Sequence, residues 1–168
     1  MEAQSNRYKL LIALFIHKLG EMKIRSISTV KPGIVQIIYC SRIVDPLDAN
    51  RLEQDIKDIL QHGRVRNSRL EITGALLTDR TSFAQVLEGP ITSVGSMYSK
   101  LIDDERHYGN ELLLYVGTHV RLFPRSALAF VEVDHIPGVA HLNSRSTPLD
   151  RRRAYLSVMA ALRPLLLG

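Results

Sequence analysis

Residues 81–90, Thr81-Ser82-Phe83-Ala84-Gln85-Val86-Leu87-Glu88-Gly89-Pro90, restrict what this chain can fold into more than any other stretch. Their alternation has the period of a half-buried strand, and Gly89-Pro90 breaks it. A run of matching character, Glu71–Thr78, comes just before. The link Thr78-Asp79-Arg80-Thr81 is short and polar, so the two runs predict an antiparallel hairpin. Within that hairpin Gln85 falls on the same side as Phe83 and Leu87. A buried amide left without partners costs roughly 1–3 kcal/mol. Two readings stay open: an amide satisfied inside the core by backbone or water, or one that faces a bound polar molecule.

The flanking segments extend the hairpin into a domain. Lys31-Pro32-Gly33 breaks the chain before a β-branched run, Ile34–Ser41, which predicts a first strand. Asp45-Pro46 or Asp48 can cap a helix, with Pro46 suited to its first position. Leu52, Ile56, Ile59 and Leu60 give that helix one apolar stripe, and Gly63 is its expected stop. A second helix is expected with Thr92 or Ser93 as cap and Val94, Met97, Tyr98, Leu101 and Ile102 as its buried side. Glu111–Val116 and Ala127–Val133 read as fourth and fifth strands. The order β-α-β-β-α-β-β predicts an α+β, ferredoxin-like fold with one added strand. Both helices should pack on one face of the sheet, with a ligand groove between them. Residues 1–33 read as an N-terminal extension with a short helix, 34–134 as the central domain, and 135–168 as a linker and C-terminal helix. Tyr155, Leu156, Val158, Met159, Leu162 and Leu165 are expected to pack that helix on the other sheet face or on a second subunit.

Composition narrows the function. At 168 residues and 45% hydrophobic content the chain is globular, with one principal core. The net charge of +5 favours an anionic ligand or an acidic partner. There is no Trp and only 6% of residues are aromatic, so nucleic-acid binding is not indicated. The single cysteine, Cys40, allows no internal disulfide and fits a reducing cytoplasm. The apolar run Leu10–Ile16 is too short to span a bilayer, so a soluble protein with no membrane partner is expected. No metal-ligand spacing or nucleophile–base pair is evident. A hydrolase built on Glu88 with His62 or His107 is the weakest reading, and no enzymatic activity is expected.

Five pieces in order carry a resemblance: Ile38-Tyr39-Cys40-Ser41-Arg42, Ile72-Thr73-Gly74-Ala75-Leu76-Leu77, Phe83–Pro90, Asp103-Asp104-Glu105-Arg106-His107 and Arg121-Leu122-Phe123-Pro124. Together they resemble the BLUF domain, a blue-light sensor that uses FAD, over about residues 35–133. The resemblance implies FAD between the two helices, no substrate turnover, and a hydrogen-bond chain from Tyr39 through Gln85 to the flavin. It also implies cofactor contacts at Ser41, Asn67, Lys100 and Asp104, and a further one at Arg66, where the family carries an asparagine. Ser126-Ala127-Leu128 stands where the family usually has Trp-Ser-Met. The expected function is therefore a homo-oligomeric photoreceptor that signals to an unidentified downstream protein. The competing reading is a light-insensitive flavin-binding or interaction module derived from such a domain.

Overall fold

The computed structural model describes residues 33–167. The expected N-terminal helix and the apolar run Leu10–Ile16 lie outside the described residues. Eight elements follow: β1 (Ile34–Ile43), α1 (Ala49–Arg69), β2 (Thr73–Thr78), β3 (Ser82–Gly89), α2 (Ile91–Ile102), β4 (His107–Thr118), β5 (Ala129–Glu132) and α3 (Pro148–Leu167). They build one sheet in the order β4-β1-β3-β2-β5. β1 runs antiparallel to both β3 and β4, β2 antiparallel to β3, and β5 parallel to β2. This is the expected β-α-β-β-α-β arrangement with an added strand and a C-terminal helix.

Strand alternation sorts the side chains into two layers. On one face, Val35, Ile37, Tyr39 and Leu87 pack with Val94 and Met97 of α2, while Ile43, Leu76 and Phe83 pack with Leu52 and Ile56 of α1. On the other, Ile38, Cys40, Ala75, Leu77, Ala84 and Val86 meet Ala154, Val158 and Leu162 of α3. The C-terminal helix thus covers the second sheet face, although Leu156 turns outward and is 55% exposed.

Several local details differ from the sequence expectations, each for a physical reason. Asp48 is the α1 cap, its Oδ1 accepting from Arg51 N at 3.0 Å, and Pro46 sits in the turn before it. The helix does not stop at Gly63. A Cβ there would meet Leu128 Cδ2 at 2.9 Å, so the glycine serves close packing rather than termination. α1 ends instead at Leu70, and Glu71 takes φ 55°, the left-handed turn that often follows a helix. That turn delays β2 to Thr73. α2 starts immediately after Pro90, with no side-chain cap; Thr92 and Ser93 lie inside its first turn. β4 begins earlier than expected, because the exposed Tyr108 and Gly109 disguise a strand that already pairs with β1 at His107. β5 is shorter, because Ser126 O accepts from Gly74 N and Ala127 O from Asn67 Nδ2 in the loop before it.

The hairpin turn has the expected position. Arg80 takes φ 65°, a conformation common in three-residue hairpin loops. Asp79, buried beneath the turn, accepts from Thr81 N, Ser82 N and Ile136 N at 2.8–3.1 Å. The same carboxylate therefore ties the hairpin to the segment leading into α3.

Candidate functional site

Gln85 and Tyr39 are register partners on adjacent strands β3 and β1. Directly opposed residues point to the same face, so pairing alone brings phenol and amide together. The Tyr39 hydroxyl donates to Gln85 Oε1 at 2.6 Å, and both side chains are buried. Burial, reinforced by Tyr98 and Asp104, raises the Tyr39 pKa well above its ordinary value of 10.0. The phenol therefore holds its proton as a donor. Tyr98 of α2 stands edge-on to the Tyr39 ring at 5.3 Å, and burial pushes its own pKa up to about 12.

The pair forms part of the wall of a cleft of about 230 Å³ between α1, α2 and the sheet. Gly63, Arg66 and Asn67 line it from α1, Met97, Lys100 and Leu101 from α2, and Phe83 and Leu128 from the sheet side. With Oε1 committed to Tyr39, the Gln85 amide nitrogen meets no acceptor among the described residues. This is the property that separates Gln85 from a self-satisfied core amide.

The expected site residues have different surroundings. Asn67 lines the cleft and is buried; its Nδ2 donates to Ala127 O at 2.7 Å, and its backbone carbonyl accepts from Ile72 N at 2.9 Å. Arg66 also lines the cleft but is exposed, with no side-chain partner among the described residues. Lys100 and Asp104 both border the cleft, yet they do not share a helix face, because α2 ends at Ile102. Asp104 pairs with Arg106 instead, accepting from its Nε at 2.8 Å. Burial alone would raise the Asp104 pKa; the Arg106 hydrogen bonds and charge outweigh it and hold the carboxyl below its ordinary range. Ser41 is buried beside Phe83 with an unpartnered Oγ, and it is not a cleft-lining residue.

Two polar residues of the cleft, Arg106 and His107, were not among the expected cofactor contacts. They complete the Asp103–His107 motif, and both border the cavity. His107 is buried, its Nδ1 has no partner among the described residues, and burial lowers its pKa, with Asp104 opposing and Arg106 adding to the shift. A polar pair directly after an acidic helix end was the signal available for them. Glu88, by contrast, does not face His62 or His107. It is fully buried on the opposite sheet face, where it accepts from Gln36 Nε2 (2.6 Å), Leu122 N (2.7 Å) and Phe123 N (3.0 Å). Its role is to clamp the loop between β4 and β5.

A concave site with an apolar floor, a few convergent polar groups and unmet donors has the makeup of a small-molecule pocket. The model of the BLUF family, sensors of blue light using FAD, matches residues 34–129, more than half of the chain, and this protein belongs to that family. The blue light- and temperature-regulated antirepressor BluF of Escherichia coli (strain K12) is 28% identical over 100 residues, which are 60% of this chain and 24% of that protein. Photoactivated adenylate cyclase subunit beta of Euglena longa is 35% identical over 74 residues, 44% of this chain and 8% of that one. Among solved structures, the dark state of the BLUF protein BlrB is 28% identical with a TM-score of 0.59, covering 79% of this chain and all of BlrB. The family is one of flavin-using light sensors. Among the described residues no helix is long and apolar enough to cross a membrane.

Proposed function

We propose that this chain holds FAD with its ring system in the cleft between α1 and α2 and works as a blue-light switch rather than as an enzyme. The observation that carries the proposal is the buried Tyr39–Gln85 hydrogen bond at 2.6 Å on the cleft wall, with the other end of the amide unmatched. The residues present fit such a group. A ring carbonyl or nitrogen would satisfy the Gln85 Nε2, and the orphaned His107 Nδ1 offers a second polar contact. The cleft's 230 Å³ suits a ring head. The cations Arg66, Lys100 and Arg106 around the same cleft suit the phosphates.

The flavin supplies blue absorption and an oxidising excited state. The protein supplies the readout. Tyr39 is a phenol that can give up an electron and then its proton along the bond to Gln85. An amide carries two donors and an acceptor, so rotation or tautomerisation of Gln85 presents a different group to the cleft afterwards. Asn67, fixed by Ala127 O, serves to orient the ligand edge, and Lys100 and Asp104 flank the cleft.

A second reading rests on three substitutions, one of them Ser126 in the place of the family tryptophan. Arg66 brings a charge where the family has an asparagine, and Leu128, 2% exposed, fills the place of the family methionine. On this reading flavin binds but light changes nothing. Purified protein loaded with FAD separates the two. A small, reversible red shift of the blue absorption band under blue light supports the switch; bound flavin without any shift supports the second reading. Loading with FMN in parallel tests the dinucleotide assignment, which requires FAD to be held more tightly.

A further inference from the structure

The C-terminal helix uses only one side against the sheet. Ala154, Val158 and Leu162 recur every four residues and are fully buried. The opposite side is exposed and patterned: Leu149, Arg152, Arg153, Leu156, Ala160 and Arg163 follow one another at steps of three, one and four residues. At 3.6 residues per turn these six positions fall within an arc of about 100°. Leu149, Leu156 and Ala160 occupy its middle, with the two leucines 56% and 55% exposed. Arg153 lies on one flank, Arg152 and Arg163 on the other, and no acidic residue falls on the arc. At the N-terminal end Arg153 joins His141 and Arg145 in an open concavity of about 510 Å³. The one carboxylate there, Asp150, is engaged by Thr147 N and Oγ1 at 2.9 and 2.7 Å.

We propose that this outer face of α3 docks an acidic amphipathic helix of a partner protein, seating its apolar residues on Leu149 and Leu156 and its carboxylates on Arg152, Arg153 and Arg163. A narrow apolar seam flanked by charge is how paired helices recognise one another, and arginine is enriched where such surfaces carry binding energy. Other occupants fit less well. A second copy of this face would set arginine against arginine. A bilayer surface needs a broad apolar side to submerge, and here that side is already spent on the sheet. A nucleic-acid backbone gains nothing from leucines at the centre of the stripe.

The same helix is tied to the strands of the cleft. Arg151, on the sheet-facing side of the same helix, forms an ion pair with Glu111 of β4. Glu111 is the register partner of Cys40, the residue after Tyr39. The helix that carries the stripe is thereby tied to β4, the neighbour of the strand that carries the phenol. The docking surface deepens the sensor reading, and rests on that reading only for light dependence; binding in darkness tests the surface alone.

The test uses the full chain in the dark and a labelled synthetic peptide of three heptads, with leucine at a and d and glutamate at e and g, followed by fluorescence anisotropy. The acidic peptide should bind, and the same peptide with lysine in place of glutamate should not. Combining Arg152→Glu with Arg153→Glu should weaken binding about tenfold or more, and so should Leu149→Ser with Leu156→Ser, which leaves the charge unchanged. Arg69→Glu, exposed on α1, should leave it within about twofold. Circular dichroism should show all variants folded, since every position is on the surface. The proposal fails if the acidic peptide does not bind, or if Arg69→Glu weakens it as much as the α3 changes. It also fails if phosphatidylglycerol vesicles bind more tightly through the same residues, or if the α3 variants change the oligomeric mass. A missing photocycle would overturn the sensor reading and leave these binding results standing.

Discussion

The two faces of the sheet are made by the same strands and treat buried polar groups in opposite ways. On the α3 face, the carboxylate of Glu88 is fully buried and has several donors converging on its two oxygens. On the α1/α2 face, Gln85 is matched at one end only, and the buried Ser41 Oγ and His107 Nδ1 have no partner among the described residues. An unmatched buried polar atom costs free energy, so a fold retains several together where something else completes them. The contrast teaches that burial alone does not mark function. Incomplete satisfaction on the wall of a cavity, as at Gln85 and His107, does; Ser41 Oγ, Arg42 Nε and Asn110 Oδ1 are unmet among the described residues but lie away from it.

Disrupting the α3 face should cost the most stability. Glu88→Ala leaves Gln36 Nε2, Leu122 N and Phe123 N without their acceptor and should lower unfolding free energy by about 3–5 kcal/mol in urea titrations. On the cleft face, Gln85→Leu should cost less, about 1–2 kcal/mol, because only the Tyr39 hydroxyl is orphaned and added FAD offsets part of the loss. The same variant should lose the light-induced shift. If the two stability losses were equal, the distinction between the faces would not hold.

The pH dependence of stability sharpens the contrast. Burial pushes Cys40, on the α3 face, from 9.0 up to about 12, and Tyr98 from 10.0 to about 12. The unfolded chain therefore releases these protons first, and stability should fall progressively as pH rises from about 9 towards 12. His107 shifts the other way, below its ordinary 6.5. The unfolded chain then binds that proton first, so its contribution is present above pH 6.5 and declines as pH falls below it. Thermal unfolding of His107→Gln should show a flatter acid limb with the alkaline limb unchanged.

The smallest effect belongs to the cleft mouth. Arg66 is exposed and has no side-chain partner among the described residues, so Arg66→Asn should weaken FAD retention by about threefold at low salt, with the difference largely screened at ~0.5 M salt. Equilibrium dialysis at the two ionic strengths reads this directly.

Much of this division was legible in the residues. Period-two alternation placed Phe83, Gln85 and Leu87 on one side, the family resemblance brought Tyr39 to Gln85, and the short polar link at Thr78–Thr81 fixed the hairpin. What escaped depends on contacts distant in sequence. Gly63 reads locally as a helix stop, but its reason is Leu128, brought against α1 by β5. Lys100 and Asp104 stand four apart, a spacing that one helix face would share, but the chain leaves the helix before Asp104 and hands that carboxylate to Arg106. Glu88 could be weighed as a catalytic acid because no local pattern reveals the loop that closes over it. Arg106 and His107 were inside a recognised motif, yet only the tertiary fold shows that they turn into the cleft.

The most direct measurement is the light-minus-dark absorbance spectrum of FAD-loaded Tyr39→Phe beside the unaltered protein. Loss of the red shift with FAD still bound and the fold intact is the predicted result, since the ring is retained and only the donor to Gln85 Oε1 is removed. A normal, reversible shift in that variant would contradict the role assigned to the buried pair.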